Sequence, residues 1–274
     1  MTAAQRVIKY AAIALAAVLC AAILGGLITI AGLLGGGRGD EETAGVARLW
    51  QPTEDVQALN IDLAALDLTV QTGETLSVRT DSSRLTWEIK DGTLHIREDG
   101  FVWPNRTKPA GSLTLTVPGS LVFRTAALDM GAGRVRITAL AAEELTVSLG
   151  AGTADLSGVS VSRRTEIDGG AGRLTLRNCR LAALSLDMGA GQLLLDAALT
   201  GTNDIDLGVG DAQLVLRGRA EDHTLHVNKG IGAITLDDRA LADGETVGSG
   251  ATAVAIDGGV GRVSITFAET ENDT

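Results

Sequence analysis

Seven times in this chain a side chain that offers oxygen stands two residues before a Gly-x-Gly corner: Asp129, Ser148, Asp168, Asp187, Asp206, Asn228 and Asp257. Two kinds of chemistry suit that spacing. An oxygen so near a turn can accept a hydrogen bond from a corner N–H, as in an Asx turn. If the copies stack, however, Asp129, Asp168, Asp187, Asp206 and Asp257 fall into a file of like charges that repel one another. Such a file of hard oxygen ligands suits calcium, the only cofactor these residues point to. Residues 169–174, GGAGRL, and 258–263, GGVGRV, open like the calcium-binding nonapeptide GGxGxDx. Leu174 and Val263 stand at its aspartate, and the period is 19 rather than nine. Turn capping is the working expectation and a calcium ladder the alternative.

Other reactive groups are few. His223 and His226 alternate with Leu225 and Val227, which predicts both imidazoles on the outer side of a strand; no third metal ligand accompanies them. Cys179 occupies a small apolar position with no activating partner. No GxGxxG pattern or Walker lysine follows any corner, and strands rather than helices come next, so no helix N-terminus meets a phosphate. Parallel β-helices do host polysaccharide lyases and hydrolases. A catalytic pair of carboxylates should interrupt a repeat, whereas this acidic column obeys it. No catalytic residue emerges.

The repeat that positions these residues is plain. First glycines fall at 131, 150, 170, 189, 208, 230 and 259, at spacings of 19, 20, 19, 19, 22 and 29. Three residues earlier stand Leu128, Val147, Ile167, Leu186, Ile205, Val227 and Ile256; six later stand Ile137, Leu156, Leu176, Leu195, Leu214, Leu236 and Ile265. Polar residues alternate between, the period of a strand. A unit this short cannot bury its own apolar face and must stack on copies of itself. The expected fold is all-β: a single-sheet-stack β-solenoid, parallel β-helix-like, with about 19 residues per coil. Glycine serves the corner because it tolerates backbone angles that other residues do not, and the small residue between the two glycines is expected to tuck inward. The last spacing, 29, reads as a loop bulging from the final coil.

Around the solenoid, at 112–267, the expected parts are a small antiparallel β cap at 56–111, with Trp103 plugging its seam, and a disordered tail at 268–274. A polar linker occupies 38–55; it contains Arg38–Gly39–Asp40, a tripeptide read by some attachment receptors but badly placed beside a bilayer. Before it, residues 10–37 carry no charge. The apolar run 10–34 would span about 37 Å as a helix, enough to cross a hydrocarbon core of ~30 Å. Arg6 and Lys9 precede it and Asp40, Glu41 and Glu42 follow, so residues 1–9 are expected in the cytoplasm and the rest outside. The run is too long for a cleaved signal peptide, and Leu19 before Cys20 argues against a lipoprotein site. Setting aside the two basic residues of 1–37, the rest carries 21 basic and 34 acidic side chains, a net −13. That excludes nucleic acid as a partner, since binding it requires Lys and Arg to neutralise phosphate.

A basic N-terminus, one membrane helix, a short β region, LTLTVP and recurrent LDMGAGRVRI-type units resemble, over about 45–267, a bacterial adhesin-like family of β-strand-repeat proteins named for a domain of unknown function. The resemblance implies a surface interaction module without enzymatic activity, held to the cell membrane by a single pass and meeting an envelope polymer or protein. An accessory role in an envelope-stress response, acting through a membrane partner, is the alternative; a polysaccharide-active β-helix enzyme is a distant third.

Overall fold

A computed structural model describes residues 47–99 and 111–269. The expected membrane segment, the Arg38–Gly39–Asp40 tripeptide, Trp103 and residues 270–274 lie outside these. Sixteen strands form one mostly parallel sheet, consistent with a solenoid. Among the described residues no helix is long and apolar enough to cross a membrane; one 3-10 turn lies at Ala220–Asp222.

Seven strands are whole rungs: β8 (Val122–Ile137), β9 (Leu140–Ser157), β10 (Val159–Ala182), β11 (Leu184–Thr200), β12 (Thr202–Arg217), β13 (His223–Leu236) and β16 (Thr252–Ala268). Each passes through its Gly-x-Gly corner without leaving the sheet. Register between neighbours is strict: Leu128 faces Val147, then Ile167, Leu186, Ile205 and Ile256 follow in file. That column is at most 1% exposed. Each such aliphatic side chain contributes about 1.5–3 kcal/mol on leaving water, so the file is a continuous core.

The corner differs from its expected form in one respect and exceeds it in another. The second glycine does take left-handed angles, as at Gly191 with φ +138°. Backbone contact between rungs is a further constraint. A Cβ on Gly191 would lie 1.8 Å from the carbonyl oxygen of Gly172, and one on Gly189 would lie 2.5 Å from that of Gly170. Only glycine lets the rungs close here. The residue between the glycines points outward instead of inward: Ala132, Ala151 and Ala171 are exposed, as are Val209, Val260 and Ile231. Inward positions such as Met188 before the corner and Leu193 beyond it are an odd number of residues apart. The strand's alternation therefore changes phase at the corner and leaves the middle residue outside.

Nor do the rungs stack in chain order. β16 lies between β12 and β13. The expected bulging loop is a return path: β13 is laid one slot too far, and residues 237–251 double back. Within them β14 (Arg239–Ala240) and β15 (Glu245–Gly248) pair antiparallel with β13 and cover its free edge. β16 then fills the gap.

The other end is interleaved as well. β2 (Ala58–Leu63) and β3 (Asp67–Gly73) form a rung directly on β8, with Ile61 facing Leu128 and Val70 facing Ile137. β6 (Thr93–Glu98) and β7 (Ser112–Pro118) form the next rung outward, again parallel. Only β1 (Arg48–Trp50), β4 (Ser77–Thr80) and β5 (Leu85–Lys90) run antiparallel, along the edge. The stacked part thus begins at Ala58 rather than at residue 112, and the expected antiparallel cap shrinks to edge strands. Such strands keep another sheet from adding at the end. Nine rungs, eight spacings of ~4.8 Å, give a stack about 38 Å long.

The rung formed by β2 and β3 was hidden because its corner, Ala64–Ala65, has no glycine. Buried Glu98 holds it instead. Its Oε2 accepts from the N–H groups of both Ala64 and Ala65 at 2.9 Å, and its Oε1 accepts from Arg84 at 2.7 Å. Three substitutions check this picture by thermal or denaturant unfolding. Gly191→Ala should cost about 3 kcal/mol or more. By contrast Gly244→Ala should cost only about 1 kcal/mol, since Gly244 has a positive φ but nothing within 4 Å. Glu98→Ala, which strands two N–H groups and Arg84, should cost about 2–4 kcal/mol.

Candidate functional site

The register that builds the core also lines up the polar surface. Asp62, Asp129, Ser148, Asp168, Asp187, Asp206, Asp257 and Asn228 face one another in file across eight rungs. Of the candidate ligands, Asp168, Asp187, Asp206 and Asp257 occupy consecutive rungs. Asp129 is separated from them by Ser148. Asp204, two residues before Asp206 on the same outer face, joins the far end of the file. Carboxylate oxygens of Asp204, Asp206 and Asp257 lie within 4.8 Å of one another.

The expected turn caps are not made. Among the described residues, no corner N–H donates to Asp129, Asp168, Asp187, Asp206 or Asp257. The corners remain in the sheet, so their N–H groups are engaged there, as when Ala132 donates to the Ala64 carbonyl at 2.9 Å. Nor does any of these five form an ion pair among the described residues, whereas acids elsewhere do, as Glu143 with Arg163 at 3.3 Å. Their charge is left uncompensated. Partial burial, then the charges of Asp257, Asp187 and Asp204 and a hydrogen bond with Asp257, push the Asp206 carboxyl up to about 7. Asp187 and Asp204 are also raised, again chiefly by burial and then by neighbouring carboxylates. Three clustered carboxylates also present the oxygen set that a hard cation takes, and Asp204 was missed because it sits one strand period before the column.

Beside this cluster the corner changes character. Proximal rungs carry alanine at the outward position, but Val209, Val260 and Ile231 stand on adjacent rungs at the far end, 41%, 40% and 67% exposed. Flanking glycines leave these side chains protruding. A recess under them, lined by Leu207, Lys229 and Val263 among others, measures about 10 Å³, room for at most one water. A more open recess of about 300 Å³ lies among Pro52, Glu54, Asp55, Leu76 and Leu121.

The histidines part company. His226 is exposed and its Nδ1 meets Thr246 Oγ1 at 3.0 Å. His223 points inward, against expectation, and is 3% exposed. Positions 223, 225 and 227 share one face of the strand, with Leu225 and Val227 buried, and three residues' separation puts His226 on the other. The two imidazoles do not converge on a metal. Cys179 is buried as expected of a core residue; burial pushes its thiol up, and its Sγ lies 3.4 Å from the Arg177 carbonyl oxygen.

Because Asp206 holds a proton more readily folded than unfolded, folding takes up a proton between the ordinary carboxylate range, ~4, and about 7. Its contribution to stability is greatest below that window and is lost as pH rises through it. Thermal melts of the native chain and of Asp206→Asn should therefore diverge: between pH 5.5 and 8 the native melting temperature should fall further than the variant's, and the variant should be the more stable at pH 8.

No curated protein matches the chain. A candidate cell adhesion protein of Clostridium sporogenes is 14% identical with a TM-score of 0.43, covering 81% of this chain and 99% of its own. A candidate adhesin of Bacteroides fragilis is 15% identical with a TM-score of 0.35, covering 80% and 96%. The family model described as Toastrack DUF4097 matches residues 58–255, from the first stacked rung into β16, and the chain belongs to that family.

Proposed function

We propose that this chain is a non-enzymatic, adhesin-like interaction module whose solenoid rod is anchored in the cell membrane by residues 10–37 and stands outside the cytoplasm. One observation carries this reading: the two ends of the stack are unlike. The apolar N-terminal segment leads, within about a dozen residues, into edge strand β1 at one end. At the other end, seven to nine rungs along, the outward corner becomes apolar beside the clustered carboxylates of Asp204, Asp206 and Asp257. A rod joined to the bilayer at the first end holds the second about 30–40 Å away from it, where an envelope polymer or protein can reach it. Val209, Val260 and Ile231 are exposed on adjacent rungs, whereas the other large exposed apolar side chains, Leu49 and Val122, stand on β1 and β8, which do not pair with each other; the contiguous set supports an interaction site at the far end.

Two measurements test the proposal. A cysteine at Val260 should react with a membrane-impermeant maleimide in intact cells or spheroplasts; reaction only after lysis would refute the topology. Sedimentation with isolated cell envelopes should carry the protein down, and Val260→Asp with Ile231→Asp should weaken that binding about tenfold or more, the loss of about 1.4 kcal/mol, with little change in melting temperature. Recovery of one stable membrane protein by cross-linking, with envelope binding unaffected by those substitutions, would instead favour the accessory role in envelope-stress signalling.

A further inference from the structure

We infer that β16 is an exchangeable rung: the slot between β12 and β13 also accepts the β16 of a second copy of this chain, so that two copies link by trading their last rungs. The order of the rungs carries this. Among the described residues β13, with β14 and β15 on its outer edge, joins the other rungs only through β16, which pairs with β12 from Thr202–Ala253 to Arg217–Ala268 and with β13 from His223–Thr252 to Leu236–Ile265. β16 is the last strand among the described residues, and within them it can leave the slot without unthreading another strand. Residues 237–251, which lead into it, are largely exposed and could reach up to ~50 Å when extended.

The slot selects strongly against foreign segments and not at all against a second copy. It requires aliphatic side chains where Ile256, Val263 and Ile265 stand, and glycine on both sides of the corner. A Cβ at Gly259 or Gly261 would come within 2 Å of the Gly208 or Gly210 carbonyl oxygen. An identical β16 from a neighbour meets all of these demands and restores every contact, so exchange costs little beyond the joining of two chains. The native closure is also imperfectly satisfied at its seam. His223 packs on Phe267 of β16 with ring centres 5.2 Å apart, and its Nδ1 donates to the Arg219 carbonyl. Its buried Nε2 has no hydrogen-bond partner, the one such side-chain atom among the described residues.

Thr202 of β12 faces Ala253 of β16, which permits a direct test in the full-length chain in detergent, with Cys20 and Cys179 replaced by serine and alanine. A chain carrying both Thr202→Cys and Ala253→Cys should close an internal disulfide, which verifies the pairing. Two differently tagged chains, one with Thr202→Cys and the other with Ala253→Cys, are then unfolded, refolded together and oxidised. The expected product is a disulfide-linked pair bearing both tags, increasing with total protein concentration and lost when the Ala253→Cys chain also carries Ile256→Asp. Absence of the mixed pair, while the double variant closes and both single variants refold, would overturn the inference.

Discussion

Everything in this fold depends on backbones touching at the glycine corners. Where most turns carry the chain away from its neighbours, here successive rungs come so close that a single methyl group would occupy the carbonyl oxygen of the rung below. The contact fixes each rung against the next along its whole length, because a strand that cannot shift at its corner cannot slip elsewhere. Aliphatic columns then meet only their counterparts. The core is built as files rather than as a collection of individual fits, and this is why a chain so poor in aromatic residues can bury an uninterrupted apolar interior.

The same register has a cost on the outside. A polar residue repeated at one position must face its own copies, so a column of aspartates becomes a file of like charges. Elsewhere on the surface arginine relieves such encounters, as Arg217 does for Asp196 with a contact of 2.9 Å. In the far acidic file no ion pair relieves Asp206 among the described residues, and burial beside like charges pushes its carboxyl up to about 7. A structural purpose for leaving that file unpaired is not evident in the hydrogen bonds, since the caps that would have explained it are absent. The acidic file runs along most of the stack, but its three-carboxylate cluster, Asp204, Asp206 and Asp257, lies beside the apolar corner toward the end opposite β1, and that coincidence is the physical basis of the proposal that function lies there.

What the sequence discloses and what it conceals divide along one line. Periodic features were legible: the buried columns, the corner glycines, the parallel stacking and the family resemblance all follow from residues recurring at fixed offsets. Features set by one residue or by the path between rungs were not. The Ala64–Ala65 corner obeys no glycine rule, because a buried carboxylate thirty-three residues away at Glu98 replaces it. The position of β16 could not be read from spacing alone, since a 29-residue interval fits a bulging loop as well as a crossing and return. His223 was expected outside with His226, yet it shares the parity of Leu225 and Val227, and strict alternation carried through from those residues turns it inward. The outward turn of the corner residue reflects a phase change that was legible in the aliphatic columns, since those on either side of the corner stand an odd nine residues apart.

Hydrogen exchange at the corner amides tests the central claim most directly. If the corners are continuous parts of the sheet, with their backbones in contact, the N–H groups of Ala151, Ala171, Ala190 and Val209 should exchange as slowly as those of the adjoining core positions Val147, Ile167, Leu186 and Ile205. Fast exchange at the corners beside slow exchange in the flanking strands would mean that they are solvent-exposed turns, and that the glycines serve only to bend the chain.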